Sequence, residues 1–147
     1  MRVVLQRVTS ASVTVEQHTI GQISHGLLVL VGIAQADTTA EADWLANKTV
    51  ELRIFEDANG KMNRSLLQTG GSVLVVSQFT LLANCQKGRR PAFTDAAPPN
   101  QAEQLYKYYA DALRSKGIRV EQGSFGADMK VSLTNDGPVT IVIDREP

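Results

Sequence analysis

Hydrophobic and polar positions along this chain fall into two periods, and their order predicts an α/β fold. Arg2 to Val8 and Ala11 to Glu16 alternate or cluster β-branched residues, which predicts two opening strands. Gln17-His18-Thr19 suits a turn, with Ile20 to Ser24 as a returning strand. Leu27-Leu28-Val29-Leu30-Val31 is apolar at every position. A strand of that kind is buried on both faces, so it reads as central. The period then changes. Thr38 and Glu41 have capping-box spacing, and Ala42, Leu45, Ala46, Thr49 and Leu52 form a helical stripe.

Asp57-Ala58-Asn59-Gly60 marks a turn, and Val73 to Gln78 predicts a second buried strand that Thr80 to Asn84 continues or pairs with. Gln86 to Asn100, with Pro91, Pro98 and Pro99, reads as loop. Asn100 and Glu103 offer another cap, and Leu105, Tyr109, Ala112 and Leu113 give the next helix its apolar face. Gly117 ends that helix. Ile118 to Gln122, Met129 to Thr134 and Val139 to Asp144 predict three final strands. Two helices thus cover a sheet that is largely antiparallel.

Composition narrows the picture. The 147 residues fit one domain, 1–147, which at this size buries roughly 70% of its unfolded surface without a covalent staple. The single Cys85 has no partner for an internal disulfide, which suits a reducing, cytoplasmic setting. It reads as a small buried hydrophobe rather than a nucleophile. The apolar runs are too short for a secretory leader or a membrane span. Formal net charge is zero, whereas a dedicated duplex-binding protein is strongly basic, so no DNA partner is expected. No ligand cluster for a metal, no phosphate loop and no dinucleotide fingerprint occurs, so no cofactor is expected.

Two segments carry candidate chemistry. Ser77-Gln78-Phe79-Thr80-Leu81 ends a buried strand. Strand alternation puts Ser77 and Phe79 on one face, Gln78 and Thr80 on the other. Backbone N–H groups freed where a strand leaves its ladder can hold a carbonyl oxygen that turns negative during ester hydrolysis. The plain alternative is that Thr80 is a β-former in a half-buried strand. A threonine nucleophile needs an activating base, and His18 and His25, the only histidines, lie in or beside turns far off in sequence. Asn135-Asp136-Gly137-Pro138 is rich in turn formers, and by itself it reads as a hairpin connection with an ordinary trans proline.

The pair of motifs, in this order and at this chain length, resembles the D-aminoacyl-tRNA deacylase family, from Arg2 to Asp144. The resemblance implies a three-layer α/β/β homodimer that hydrolyses D-aminoacyl-tRNA and glycyl-tRNA, releasing free tRNA. It assigns Ser77, Gln78, Phe79 and Thr80 to the catalytic wall. It implies a cis Gly137-Pro138 bond whose motif enters the partner's site and rejects L-amino acids. Phe125 and Met129, in Phe125-Gly126-Ala127-Asp128-Met129, would line the pocket; as residues alone they read as core. Arg7 would support the dimer contact and the Gly-Pro loop; alone it reads as a solvated strand charge. Lys87, Arg89 and Arg90 form the densest basic cluster and suit tRNA phosphate, as Phe93 suits a terminal base. Two mechanisms stay open: attack by Thr80 itself, or a water positioned by the backbone of Phe79 and Thr80. The lack of a base near Thr80 favours the second.

Overall fold

The computed structural model describes residues 1–147. Strands β1 (Arg2–Val15), β2 (His18–Ile23) and β3 (Gly26–Gly32) lead into helix α1 (Thr39–Glu51). A small hairpin, β4 (Phe55–Glu56) and β5 (Met62–Arg64), precedes the one-turn helix α2 (Leu66–Thr69) and strand β6 (Ser72–Ser77). A 3₁₀ turn (Phe79–Leu82), helix α3 (Pro99–Ser115), β7 (Val120–Gln122) and β8 (Lys130–Asp144) complete the chain.

The main sheet runs β2-β1-β3-β6-β7, with β8 also paired to β1. β1 pairs antiparallel with β2, β3 and β8, whereas β3–β6 and β6–β7 are parallel. Parallel neighbours need a long crossover, normally helical. α1 lies in the first crossover and α3 in the second. Right-handed crossovers stepping in one direction put both helices on one face.

Alternation along the strands sorts two cores and hence three layers. Leu27, Val29 and Val31 of β3, and Val73 and Val75 of β6, face the helices. Leu28, Leu74 and Val76 point the other way. There they meet Val8, Ala11 and Val13 of the far half of β1, and Ile23 of β2. β1 supplies both cores because it bends: Val3 and Leu5 sit in the first, Val8 to Val13 in the second. Gly21 permits the close approach, since a Cβ there would stand 3.0 Å from the Gln122 carbonyl oxygen.

Several elements differ from expectation. The two opening runs are one strand, interrupted only in exposure at Thr9 and Ser10. β4, β5 and α2 are too short to show a period. The Thr38–Glu41 capping box forms, but Val50 rather than Leu52 completes the buried stripe of α1. α3 does not use Asn100 as a cap; it begins at Pro99, whose preset φ suits the first helical position. Thr80 to Asn84 is not a strand, and the Met129–Thr134 and Val139–Asp144 runs belong to one strand, β8. Cys85 is exposed, because it lies in the loop beyond the sheet.

Candidate active site

β6 ends abruptly. Gln78 N–H donates to the Val31 carbonyl at 2.7 Å as a last bond to β3. The chain then winds into the 3₁₀ turn, with Leu81 N–H donating to Gln78 O at 3.1 Å and Ala83 N–H to Thr80 O at 3.1 Å. The N–H groups of Phe79 and Thr80 precede the first of these bonds, so they have no partner inside the turn. Strand alternation stops at Ser77: Gln78, expected on the face opposite Ser77 and Phe79, lines the same cavity as they do. The reason is non-local. The turn seats on Gly32, where a Cβ would stand 2.4 Å from Leu82 Cδ2 and 3.2 Å from Gln78 O.

Ser77, Gln78 and Phe79 form one wall of a cavity of about 620 Å³. α3 supplies Ala102 and Tyr106, one helical turn apart, and Phe125, Met129 and Val131 also line it. Phe93 packs edge-on against Phe79, centroids 5.1 Å apart. Of the 17 lining residues 12 are hydrophobic, so the cleft offers few competing polar partners to a ligand.

Local sequence explains the aromatic wall. Ser124 to Ala127 is a turn closed by Ala127 N–H donating to Ser124 O at 3.1 Å. Gly126 takes φ 77°, a conformation that favours glycine, and this presents Phe125 to the cleft. Gly123 leaves room for Met129, whose sulfur would be 2.7 Å from a Cβ there. Tyr106 is buried and donates to Val75 O at 2.9 Å. Burial pushes its phenol above the ordinary value, so it stays a neutral donor. Tyr106 escaped the sequence reading, which placed Leu105, Tyr109, Ala112 and Leu113 on the buried face. Its signal was the i,i+4 spacing from Ala102.

Thr80 is exposed at the rim and is not part of the cavity lining. Its hydroxyl oxygen accepts a short hydrogen bond from the Gln78 side-chain amide. Neither histidine approaches: His18 contacts Glu16 O, and His25 packs against Phe55.

Gly137 and Pro138 form a separate group. Their peptide bond is cis, and both residues are exposed and stand outside the cavity lining. They are not a hairpin connection. β8 stays paired with β1 on both sides, but Gln6 faces Thr140 while Val8 faces Asn135. The surplus residues of β8 must bulge outward. Asn135 ties the neck: its Oδ1 accepts from Val139 N–H at 3.1 Å and its amide donates to Thr140 Oγ1 at 2.9 Å.

Arg7 braces this bulge and is no solvated strand charge; it is 4% exposed. Its guanidinium donates to Asp136 O at 3.1 Å and Ile54 O at 2.8 Å. It also lies 3.4 Å from the Asp136 carboxylate. Lys87, Arg89 and Arg90 sit on an exposed loop whose ends, Asn84 and Ala92, bond to each other. That bridge places the loop directly before Phe93 of the cleft.

The candidate site is thus an apolar cleft walled by Ser77, Gln78 and Phe79 where the strand ends, with Thr80 outside the lining and no imidazole beside it. The sequence profile of the D-Tyr-tRNA(Tyr) deacylase family matches residues 4–144. A D-aminoacyl-tRNA deacylase of Rhodopirellula baltica is 58% identical over 144 residues, covering 98% of this chain and 99% of the relative. One of Thermomicrobium roseum is 59% identical over 98% and 94%. A solved structure described as c-Myc DNA Unwinding Element Binding Protein superposes with TM-score 0.93 at 42% identity, covering all of both chains. A second, described as a probable eukaryotic D-amino acid tRNA deacylase, has TM-score 0.86 at 18% identity over 98% of each and shares the fold. The chain belongs to the D-aminoacyl-tRNA deacylase family, a family of hydrolases.

Proposed function

We propose that residues 1–147 form one deacylase domain that, as a cytoplasmic homodimer, cleaves the ester between a D-amino acid and the terminal ribose of tRNA. The observation that carries this reading is an apolar cleft walled by Ser77, Gln78 and Phe79 at the point where the chain leaves its strand, so that the N–H groups of Phe79 and Thr80 lie outside the hydrogen bonds of the turn. Such groups stabilise the oxyanion that forms when water attacks the ester carbonyl. Collapse of that intermediate breaks the bond to the ribose oxygen, which takes up a proton. The attacking water gives up a proton, with the neighbouring ribose hydroxyl as relay. Thr80 serves through its backbone. Its oxygen already accepts from Gln78, which draws electron density from the atom that would have to attack.

Gly137 and Pro138 act in the partner's cleft. Within one chain they are exposed and outside the lining, so a second copy is the means by which they reach a substrate. Their carbonyls admit a D-amino acid with its side chain pointing outward, and collide with the side chain of an L-amino acid. Each 1.4 kcal/mol of collision is about tenfold in rate. Glycine has no side chain to exclude, so glycyl-tRNA is cleaved too. Lys87, Arg89 and Arg90 hold tRNA phosphates beside Phe93. The name of the 42%-identical structure mentions a DNA element, but zero net charge gives this chain no overall field for a duplex.

Single-turnover deacylation tests the reading. D-Tyr-tRNA and glycyl-tRNA are expected to be cleaved and L-Tyr-tRNA to decay no faster than in buffer; cleavage of the L-ester at a similar rate rejects the filter. Thr80→Ala is expected to keep turnover within about tenfold, because the backbone remains. Near-complete loss with tRNA binding intact would instead make the threonine the nucleophile. Mixing a Gly137 variant with a Phe79 variant, each inactive alone, restores activity if the motif works across subunits.

A further inference from the structure

The Phe79–Leu82 turn has no strand ladder to hold it, and four residues of 3₁₀ helix do not fix themselves. Its position comes from outside. Arg2 lies directly opposite Gly32 on β3 and opposite Asp144 on β8. Residues paired in this way point to the same face. Gly32 has no side chain, which leaves the face open for the turn to sit there and for the guanidinium to reach across. Arg2 Nε is 2.6 Å from Asp144 Oδ1 and Nη2 is 3.1 Å from Oδ2, a two-pronged fork. The remaining arm, Nη1, donates to the Leu81 carbonyl at 2.9 Å. That carbonyl belongs to the final residues of the turn, which lack donor partners within it and favour a cation.

We propose that Arg2 is a positioning residue for hydrolysis: gripped by Asp144, it pins Leu81 O and so holds the Phe79–Thr80 amides at the height of the ester. The proposal rests on the reading of that turn as catalytic. An exposed ion pair contributes little to folding. Arg2 is 39% exposed and Asp144 51%. The effect of the clamp therefore falls on geometry more than on stability. The reciprocal shifts agree with a real grip: Asp144 holds the Arg2 pKa above its usual value and Arg2 holds the Asp144 carboxyl below its own. Lysine cannot replace the fork, since an ammonium is a point charge without planar geometry.

Arg114 supplies a matched control. It also pairs with an aspartate, Asp111 at 2.9 Å, and donates to Val120 O at 3.2 Å and Gln122 Oε1 at 2.9 Å, but in the last turn of α3 with no bond to the Phe79–Leu82 turn. The experiment measures kcat, KM and the melting temperature with D-Tyr-tRNA for Arg2→Gln, Arg2→Lys, Asp144→Asn, Arg114→Gln and Gly32→Ala. Arg2→Gln is expected to lower kcat by roughly 10–100-fold, the scale of an ångström's misplacement. KM should stay within about twofold, with melting no lower than for Arg114→Gln. Arg2→Lys and Asp144→Asn should fall between. Arg2→Gln with unchanged kcat, with a loss confined to KM, or with a loss equalled by Arg114→Gln overturns the proposal. Gly32→Ala probes the turn directly, because its Cβ would meet Leu82 and Leu81 of the turn itself. If Gly32→Ala loses kcat and Arg2→Gln does not, the turn is catalytic and the clamp is refuted. If neither loses it, the catalytic reading of the turn falls, and the clamp with it.

Discussion

The cleft and the Asn135–Val139 bulge are held in place by opposite means. The cleft wall is fixed by packing: Tyr106 is 2% exposed, and Phe125 lies 5.9 Å from it, ring to ring. Apolar contacts are many and individually weak, so the wall yields gradually when one is trimmed. The bulge stands in solvent and owes its shape to a few directed bonds from Arg7 and Asn135. Lose one of those and nothing nearby compensates. A site that combines the two can keep a general apolar surface for the substrate and a sharply placed backbone for selection.

The largest loss is expected at Tyr106. Tyr106→Ala removes an aromatic ring from between α3 and β6, and large truncations of this kind cost about 3–5 kcal/mol. Urea unfolding should show that loss, with turnover falling as the cleft relaxes. Tyr106→Phe keeps the packing and frees only Val75 O, which still accepts from Gly123 N–H at 2.9 Å. Its cost should therefore stay near 1 kcal/mol. Equal losses for the two variants would mean that the hydroxyl, not packing, fixes the wall.

Arg7→Gln is the corresponding break in the bulge, with a smaller stability cost and a larger functional one. It removes charged donors from Ile54 O and Asp136 O. Bonds of that type contribute roughly 1.5–3 kcal/mol, and glutamine restores part. We expect a loss of about 2 kcal/mol in unfolding. Turnover should drop about 100-fold with D-Tyr-tRNA, by misplacement of Gly137. A variant that melts early yet deacylates normally would separate Arg7 from the selecting loop.

Legibility in the sequence followed the same division. The three-layer arrangement came only from the family resemblance, whereas the central strands and the helices over them could be read because β3 and β6 carry unbroken apolar runs and α1 and α3 repeat with period 3.6. The bend of the chain after Gln78 could not. Phe-Thr-Leu-Leu is good strand sequence, and what turns it is an empty Cβ position at Gly32, 46 residues earlier by the numbering. Arg7 looked solvated because its acceptors, Ile54 O and Asp136 O, are backbone atoms that no side-chain pattern announces. Gly137-Pro138 carried a turn signal, and the same residues that make hairpins also make bulges when the strand re-pairs beyond them. Family resemblance supplied the site assignment that local pattern left open.

The Gln86–Pro91 loop is neither packed nor braced. Lys87, Arg89 and Arg90 take part in none of the ion pairs of the structure. Replacing all three with glutamine should leave folding within about 0.5 kcal/mol, as for other surface changes. The effect belongs to binding. If each cation neutralises one phosphate of a single-stranded end, the slope of log affinity against log salt should flatten by about 0.7 per residue, roughly 2 in all. Titrating tRNA at several salt concentrations measures that slope directly. A flattening with kcat preserved makes the loop a phosphate grip separate from both the cleft and the bulge. An unchanged slope would assign tRNA contact elsewhere.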